Sequence, residues 1–330
     1  MDEVARKIRA DLRRVESALM EIASALPGPS RRVALHLLRA GGKRFRPALT
    51  VASGRALGGE PRLGLYRAAA AVELVHTASL IHDDLVDGSE VRRGRKSAPA
   101  AFGNDVALIA ADLLFTKAFE VAGEAAGPEA AALLSRAVMG MCEGELEELE
   151  GRGRFDLDLS GYLERVRKKT GSLMAACCMI GAMVAGADDE AAETLGRFGE
   201  AVGAAFQAVD DLRDMFGDPK VLGKPTGGDF RAGKASLPLV LLLSDGDLGA
   251  RERALRLLRG PRDERALREI AEVARKAGVP ERGLEVVARL IEGARGLLAA
   301  LPDSEGKRML EFLADSVVRR GEALLKTSRG

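Results

Sequence analysis

The chain has 330 residues, 47% of them hydrophobic, which suits one large domain or two ordinary ones and excludes general disorder. Its 50 basic and 49 acidic residues nearly balance, which argues against nucleic acid as the main partner. Three cysteines, two of them adjacent, are typical of reduced thiols rather than of a disulfide framework. The charged N-terminus lacks the apolar core of a signal peptide, and no stretch is long and apolar enough to span a bilayer. The sequence therefore predicts a cytoplasmic protein without a transmembrane segment.

The first predicted element is a helix, because apolar residues recur at spacings of three and four from Val4 to Ile22. Ala, Leu, Arg and Glu dominate most later segments, and all four favour helix. No segment alternates apolar and polar residues in the way that a half-buried strand does. Pairs of Gly and Pro break the chain at intervals that suit long helices with short connections. We predict an all-α fold of about ten or more helices, in a single domain over 1–330 with C-terminal helices at 239–330.

Basic clusters and an acidic motif occupy the first half of the chain. Segment 41–47, GGKRFRP, places three cations around Phe45 at a predicted helix break. Asp83-Asp84-Leu85-Val86-Asp87 ends the apolar helix 68–81, and the basic run 92–96 follows within ten residues. Alone, each basic cluster is typical of a solvated face. Arginine groups also bind phosphate through paired hydrogen bonds, so cations beside an acidic motif indicate a polyanionic substrate.

Similar features return in the second half. Lys168-Lys169-Thr170 lies in a predicted helix, and Asp210-Asp211-Leu212-Arg213-Asp214 ends another apolar helix. The next segment, 217–234, holds five Gly, two Pro and three Lys, which we predict to be a structureless functional loop that suits phosphate. It is not a Walker A loop, because five residues separate Gly217 from Gly223 and Pro225 stands where Ser or Thr is needed. This difference argues against a P-loop NTPase.

The two acidic motifs share one geometry. The first and last Asp of each are four residues apart, so they lie on one face of a helix. Three carboxylates near a helix C-terminus repel one another and the helix dipole, unless a cation lies between them. Oxygen ligands without Cys or paired His indicate Mg²⁺ rather than Zn²⁺. A solvated acidic helix end is the alternative for one motif, but two copies beside basic residues favour metal. No residue pattern indicates a protein nucleophile.

At this point the sequence resembles the trans-polyprenyl diphosphate synthase family. The motifs that carry the resemblance run in the family's order over about 41–238: GGKRFRP, ELVHTASLIHDDLVDGSEVRRG, KKTGSL, GAAFQAVDDLRD and GKPTGGDFRAGKASLP. LADSVVRR resembles the family's C-terminal end. The resemblance implies the isoprenoid synthase fold, with helices around a central apolar cavity and both acidic motifs facing each other across its mouth. It also implies a homodimer. Because a long product would favour a membrane over water, we expect transient contact with a bilayer when product leaves.

The implied reaction joins isopentenyl diphosphate to an allylic diphosphate by ionisation, condensation and elimination, with three Mg²⁺ ions per active site. The implied metal ligands are Asp83, Asp87 and Asp210, supported by Asp84, Asp211 and Asp214. Isopentenyl diphosphate is assigned Lys43, Arg46, His76 and Arg93. The allylic substrate is assigned Arg92, Lys169, Thr170, Gln207, Lys224 and Lys234, of which all but Arg92 are expected to be catalytic. Arg320 matches an arginine that closes over the site. Arg213 departs from the family pattern, which has an apolar or aromatic residue there.

Product length is expected to depend on the helix turn before Asp83. Helical spacing puts Ala78 and Ser79 there, and both are small, so we predict a product longer than about C20, in the range of about C30 to C40. A short-chain farnesyl or geranylgeranyl diphosphate synthase remains an alternative. Others are a terpene cyclase, a non-catalytic partner subunit of a two-component synthase, and a structural helix bundle with acidic ends.

Overall fold

The computed structural model describes residues 2–58, 63–219 and 226–327 and confirms the predicted all-α fold. The first helices are α1 (Asp2–Ala25), α2 (Gly28–Arg39), α3 (Phe45–Ala56), α4 (Leu63–Val86), α5 (Ala98–Phe102), α6 (Asn104–Ala126), α7 (Pro128–Glu150) and α8 (Leu159–Val166). A π-helical turn, Arg167–Gly171, leads into α9 (Ser172–Val184). The remaining helices are α10 (Asp189–Phe216), α11 (Gly228–Ala232), α12 (Leu237–Asp245), α13 (Leu248–Arg259), α14 (Glu264–Lys276), α15 (Val279–Leu298) and α16 (Glu305–Thr327). Within the described ranges, strands occur only as an antiparallel hairpin of β1 (Val91–Arg92) and β2 (Arg95–Lys96).

Side-chain caps fix where several of these helices begin. Ser97, Asp158, Asp247 and Asp263 each accept a hydrogen bond from the backbone N–H three residues later. Such a cap satisfies one of the N–H groups that the first helical turn leaves without a partner. Short polar residues before apolar helical segments therefore set the helix boundaries on both sides of the π-helical turn.

Contacts group the helices into two compact units, and the prediction of a single domain remains a prediction. The first unit contains the chain up to Val138, Leu173–Gly199 and Leu297–Leu313. At its centre, α4 packs against α1, α3 and α6. Helix α4 is buried around most of its circumference, as its largely apolar sequence predicts. Gly181 of α9 lets that helix approach α3, since a Cβ there would lie 2.2 Å from the Thr50 carbonyl oxygen.

The second unit contains Met139–Ser172, Glu200–Gly296 and the chain from Ala314. Its apolar helix α12 packs against α8, α13 and α14. The segment 217–234, expected to lack secondary structure, holds the short helix α11, and Asp214 explains why. The Asp214 carbonyl accepts from Gly227 N at 2.7 Å, and its carboxylate accepts from Asp229 N at 3.0 Å. Across the described ranges, none of the helices combines the length and hydropathy needed to cross a membrane.

Candidate active site

The first acidic motif lies at the end of α4, where one carboxylate is buried and the other two are more accessible to solvent. Asp84 is buried, and its Oδ1 accepts from Arg92 Nε at 2.9 Å and from Arg92 Nη2 at 2.5 Å. Burial raises the pKa of Asp84, and the Arg92 guanidinium opposes that rise. Asp83 is half-buried and Asp87 is exposed, four residues apart on one helix face. The Asp84–Arg92 pair therefore anchors the helix end while Asp83 and Asp87 face outward.

The β-hairpin returns the chain to the end of α4. Ser89 N donates to the Asp84 carbonyl at 2.9 Å, and Ser97 N donates to the Glu90 carbonyl at 2.8 Å, which closes the hairpin at its base. Arg93 lies at its tip in the left-handed region, with φ of 52°. Backbone geometry thus explains how a basic run ten residues away contacts the acidic motif.

Segment 41–47 separates its cations between the interior and the surface. Arg44 is buried directly before α3 and donates to Glu16, Glu73 and the Leu38 carbonyl. Lys43 is exposed and Arg46 is half-buried. Arg44 therefore holds the segment in place, and the role of Lys43 and Arg46 in binding a ligand remains a prediction.

Four cations of the first unit act on one histidine. Burial lowers the pKa of His76 well below its usual value, and the charges of Arg46, Arg93, Arg44 and Arg92 lower it further. Gly42 makes room for this grouping, because a Cβ there would lie 2.9 Å from Arg93 Nη1, and Arg93 also donates to the Gly41 carbonyl. His76 is therefore neutral at neutral pH. This part of the first unit brings together Arg46, His76 and Arg93, and their role in binding isopentenyl diphosphate remains a prediction.

The second acidic motif also buries its second carboxylate. Asp211 accepts from Tyr162 Oη at 2.8 Å, Gln207 Nε2 at 2.8 Å and Leu237 N at 3.0 Å. Burial raises the pKa of Asp211 to about 6, although these donors oppose the shift. Asp210 is more exposed and pairs with Arg320 at 2.5 Å. As in the first motif, the second aspartate is fixed internally and the first faces a more accessible environment, but here the fifth, Asp214, is buried as well.

Arg213 lies beside this pair. Burial is the main cause that lowers the pKa of Arg213. The positive charge of Arg320 lowers that pKa further, and the negative charge of Asp210 opposes both effects. The Arg320 guanidinium also stacks 4.8 Å from the centre of the Phe206 ring. The two arginines therefore compete for one carboxylate, and Arg320 is the one paired with it.

A small cavity in the second unit collects the predicted allylic-site residues Lys169, Thr170, Gln207 and Lys234. Thr170 Oγ1 donates to Gln207 Oε1 at 3.0 Å, and Gln207 Nε2 in turn donates to Asp211 Oδ1 at 2.8 Å. Lys169 and Thr170 belong to the π-helical turn, whose wider turn is a feature common at functional sites. Lys224, predicted for the same site, lies outside the described residues.

Several lining residues of this cavity escaped the sequence reasoning. They are Glu148, Tyr162, Arg165, Asp229 and Ser236. Burial raises the pKa of Asp229 well above its usual value, and the charges of Asp211 and Asp214 raise it further. Asp229 lies inside the GGDF motif, and that motif could have identified it as a site residue. Glu148 and Tyr162 lie in helical segments that carry no sequence motif.

The predicted length-determining residues lie on α4 in different environments. Ala78 is fully buried, and Ser79 is half-buried and donates to the His76 carbonyl at 2.9 Å. Their place in a product tunnel remains a prediction.

The acidic motifs offer oxygen ligands of the kind that Mg²⁺ prefers. In the described part of the chain, no three His, Cys, Asp or Glu side chains form a closed metal cluster. Mg²⁺ does not need one, because it keeps several waters and takes one or two carboxylates together with substrate phosphates. The all-oxygen donor set fits this chemistry, and Asp84 Oδ2 is a buried oxygen without a hydrogen-bond partner. The residues present therefore fit Mg²⁺ that is shared with a diphosphate.

Comparison with known proteins decides the family. The family model described as polyprenyl synthetase matches residues 30–275. The chain belongs to the polyprenyl synthetase family. Nonaprenyl diphosphate synthase of Mycobacterium tuberculosis is 40% identical over 87% of this chain and 85% of its own length. Heptaprenyl diphosphate synthase component 2 of Geobacillus stearothermophilus is 36% identical over 94% of this chain and 96% of its own length.

A solved structure agrees with these relatives. A polyprenyl synthase from Caulobacter crescentus, complexed with calcium and isoprenyl diphosphate, is 36% identical with a TM-score of 0.87 and covers 96% of this chain and 97% of that one. This polyprenyl synthetase is thus a prenyltransferase of the isoprenyl diphosphate synthase type.

Proposed function

We propose that this enzyme condenses isopentenyl diphosphate with an allylic diphosphate, in a Mg²⁺-dependent reaction, to make an all-trans polyprenyl diphosphate longer than C20. The observation that carries the proposal is the presence of two separate cationic groups. One surrounds His76 in the first unit, and the other, with Lys169 and Lys234, lines the cavity of the second unit. Two groups suit two diphosphate substrates, whereas a terpene cyclase needs only one.

The protein's residues divide the work of binding and ionisation. Arg46, Arg93 and Lys43 hold isopentenyl diphosphate, and neutral His76 serves as a hydrogen-bonding partner. Lys169 and Lys234 hold the allylic diphosphate, which departs when its C–O bond breaks. Fixed cations stabilise the charge that develops on that leaving group.

Thr170 and Gln207 direct oxygen dipoles toward the allylic cation, which the isopentenyl double bond attacks to form the new C–C bond. A proton then leaves for the released diphosphate, which completes the elimination. Asp83 and Asp87, and separately Asp210 with Asp214, are the residues that would hold Mg²⁺. Mg²⁺ supplies Lewis-acid neutralisation of the diphosphate. The calcium in the C. crescentus structure supports a site for hard divalent cations.

Product length rests on Ala78 and Ser79, because neither would block a chain that grows past the first motif. The relatives' named products range from C20 to C45, so similarity alone leaves the length open.

We propose a homodimer in the cytoplasm. Val106 and Ile109 of α6 support the dimer as exposed apolar residues three apart on one helix, and free cysteines support a reducing compartment. One relative is named as a component of its synthase, so the assembly must be measured.

The test is incubation of the purified chain with Mg²⁺, isopentenyl diphosphate and farnesyl diphosphate, with products read by chain length. We expect polyprenyl diphosphates longer than C20 and release of diphosphate that stops when EDTA is added. A product that ends at C15 or C20 contradicts the long-chain assignment, and a cyclic hydrocarbon indicates a terpene cyclase. Inactivity of the chain alone, restored by a second protein, indicates a two-component synthase. Light scattering of the same sample measures the dimer.

A further inference from the structure

One carboxylate oxygen holds both lysines of the second cationic group. Glu148 Oε1 lies 2.7 Å from Lys169 Nζ and 3.1 Å from Lys234 Nζ. Glu145, one turn earlier on α7, lies 2.6 Å from Lys169 Nζ. All of these side chains are mostly buried, so the charges meet away from bulk water.

Backbone features far apart in the sequence produce this arrangement. A Cβ at Gly144 would lie 2.7 Å from Lys169 N, so only glycine lets the π-helical turn approach α7 so closely. Lys234 N donates to the Asp229 carbonyl at 2.9 Å, and Gly153 N donates to the Gly233 carbonyl at 2.9 Å. Both lysines are therefore directed at Glu148 by fixed backbone.

The electrostatics favour an ionised Glu148. Burial alone would raise its pKa, yet the charges of Lys169 and Lys234 lower it to about 2. The two ammonium groups repel each other, as the lowering effect of Lys234 on the pKa of Lys169 indicates. A shared anion offsets that repulsion, and a substrate diphosphate offers the same kind of oxygen.

We propose that Glu148 is a positioning residue that keeps Lys169 and Lys234 together as their counter-ion and competes with the substrate diphosphate for them. The role of Glu148 in turnover rests on the proposed function. The competition between Glu148 and diphosphate for the two lysines does not, because it concerns binding alone.

The experiment is calorimetric titration of the chain with inorganic diphosphate in the presence of Mg²⁺. Glu148→Gln keeps the size and an acceptor oxygen but removes the charge, so we expect about tenfold tighter binding. The matched control is Glu147→Gln, since Glu147 pairs with the more exposed Lys168 at 2.7 Å one position away, and its affinity should not change. Unchanged or weaker binding by Glu148→Gln overturns the proposal.

A second variant covers the case in which Glu148→Gln does not fold. Glu145→Gln removes the carboxylate that contacts Lys169 alone, and we expect tightening of about threefold. If Glu145→Gln does not bind diphosphate more tightly, the proposed competition between carboxylate and diphosphate is overturned as well.

Steady-state kinetics separate positioning from a merely structural role. With the allylic substrate, Glu148→Gln should lower both KM and kcat, because the diphosphate product leaves more slowly. A raised KM with a normal kcat contradicts this role. If the original chain binds diphosphate but makes no polyprenyl product, the proposed function fails while the binding comparison still decides the role of Glu148.

Discussion

Replacing Arg44 by Met tests whether the basic segment 41–47 depends on a buried ion pair. Arg44 Nε donates to Glu16 Oε1 at 2.5 Å, Nη1 to Glu73 Oε1 at 2.6 Å and Nη2 to the Leu38 carbonyl at 3.0 Å. The side chain of Glu16 is 39% exposed and can turn to water, whereas those of Arg44 and Glu73 are each 3% exposed. Met would therefore leave the Glu73 charge buried without its partner. Breaking such a pair costs about 3 to 5 kcal/mol, so we expect the free energy of unfolding to fall by about 4 kcal/mol.

Urea unfolding at neutral pH, followed by circular dichroism, measures this change. Arg39→Met is the control, because Arg39 is exposed at the end of α2 and its loss should cost less than about 0.5 kcal/mol. The double variant Arg44→Met, Glu73→Met removes both charges and should recover most of the loss. The reasoning is refuted if the single variant loses less than about 1 kcal/mol, or if the double variant is no more stable than the single one.

Two further predictions concern product length and the second acidic motif. Ala78→Phe should shorten the product, because the ring would block a chain that grows past the first motif; since Ala78 is fully buried, the added ring should also lower the melting temperature. Unchanged product length shows that Ala78 does not line the tunnel. Arg320→Met should tighten Mg²⁺ binding by the substrate-free chain about threefold, because Asp210 then loses the cation paired with it at 2.5 Å. Calorimetry measures this, Arg319→Met is the control on the same helix, and equal affinities for both variants contradict the idea.

Much of the fold follows from local sequence. Period and composition predicted the helices, because an apolar stripe at helical spacing needs no distant information. Spacing also predicted that Asp83 and Asp87 share a face. Spacing could not say which carboxylate turns inward, since that depends on Arg92 folding back through a hairpin whose strands have two residues each.

The residues that line the cavity of the second unit show more clearly what cannot be predicted from the sequence. Glu148 forms an ion pair with Lys234, which lies 86 residues later in the chain. Nothing in the sequence of either segment predicts that the two side chains are in contact. A π-helical turn differs from an α-helix by hydrogen-bond register rather than by composition, so the segment 167–171 was predicted simply as helix. Long-range ion pairs and register changes both depend on the assembled fold, which is why the sequence identified Lys169 but missed its counter-ion.

The two acidic motifs agree on a division of roles that their sequences only partly indicate. In each, the second aspartate is buried: Asp84 is held by a guanidinium, and Asp211 by three neutral donors. In the second motif Asp214 is buried as well, and its carboxylate accepts from Asp229 N. Helical geometry accounts for the burial at this position, because i+1 lies about 80° around the helix from the middle of the face that i and i+4 share. A buried, bonded carboxylate at i+1 fixes the rotation of the helix end, and that rotation leaves the first aspartate of each motif, Asp83 or Asp210, only partly buried. We therefore expect Asp84 and Asp211 to orient the aspartates that we propose as Mg²⁺ ligands. Asp84 does so through a salt bridge to Arg92, and Asp211 through hydrogen bonds that continue by way of Gln207 to Thr170.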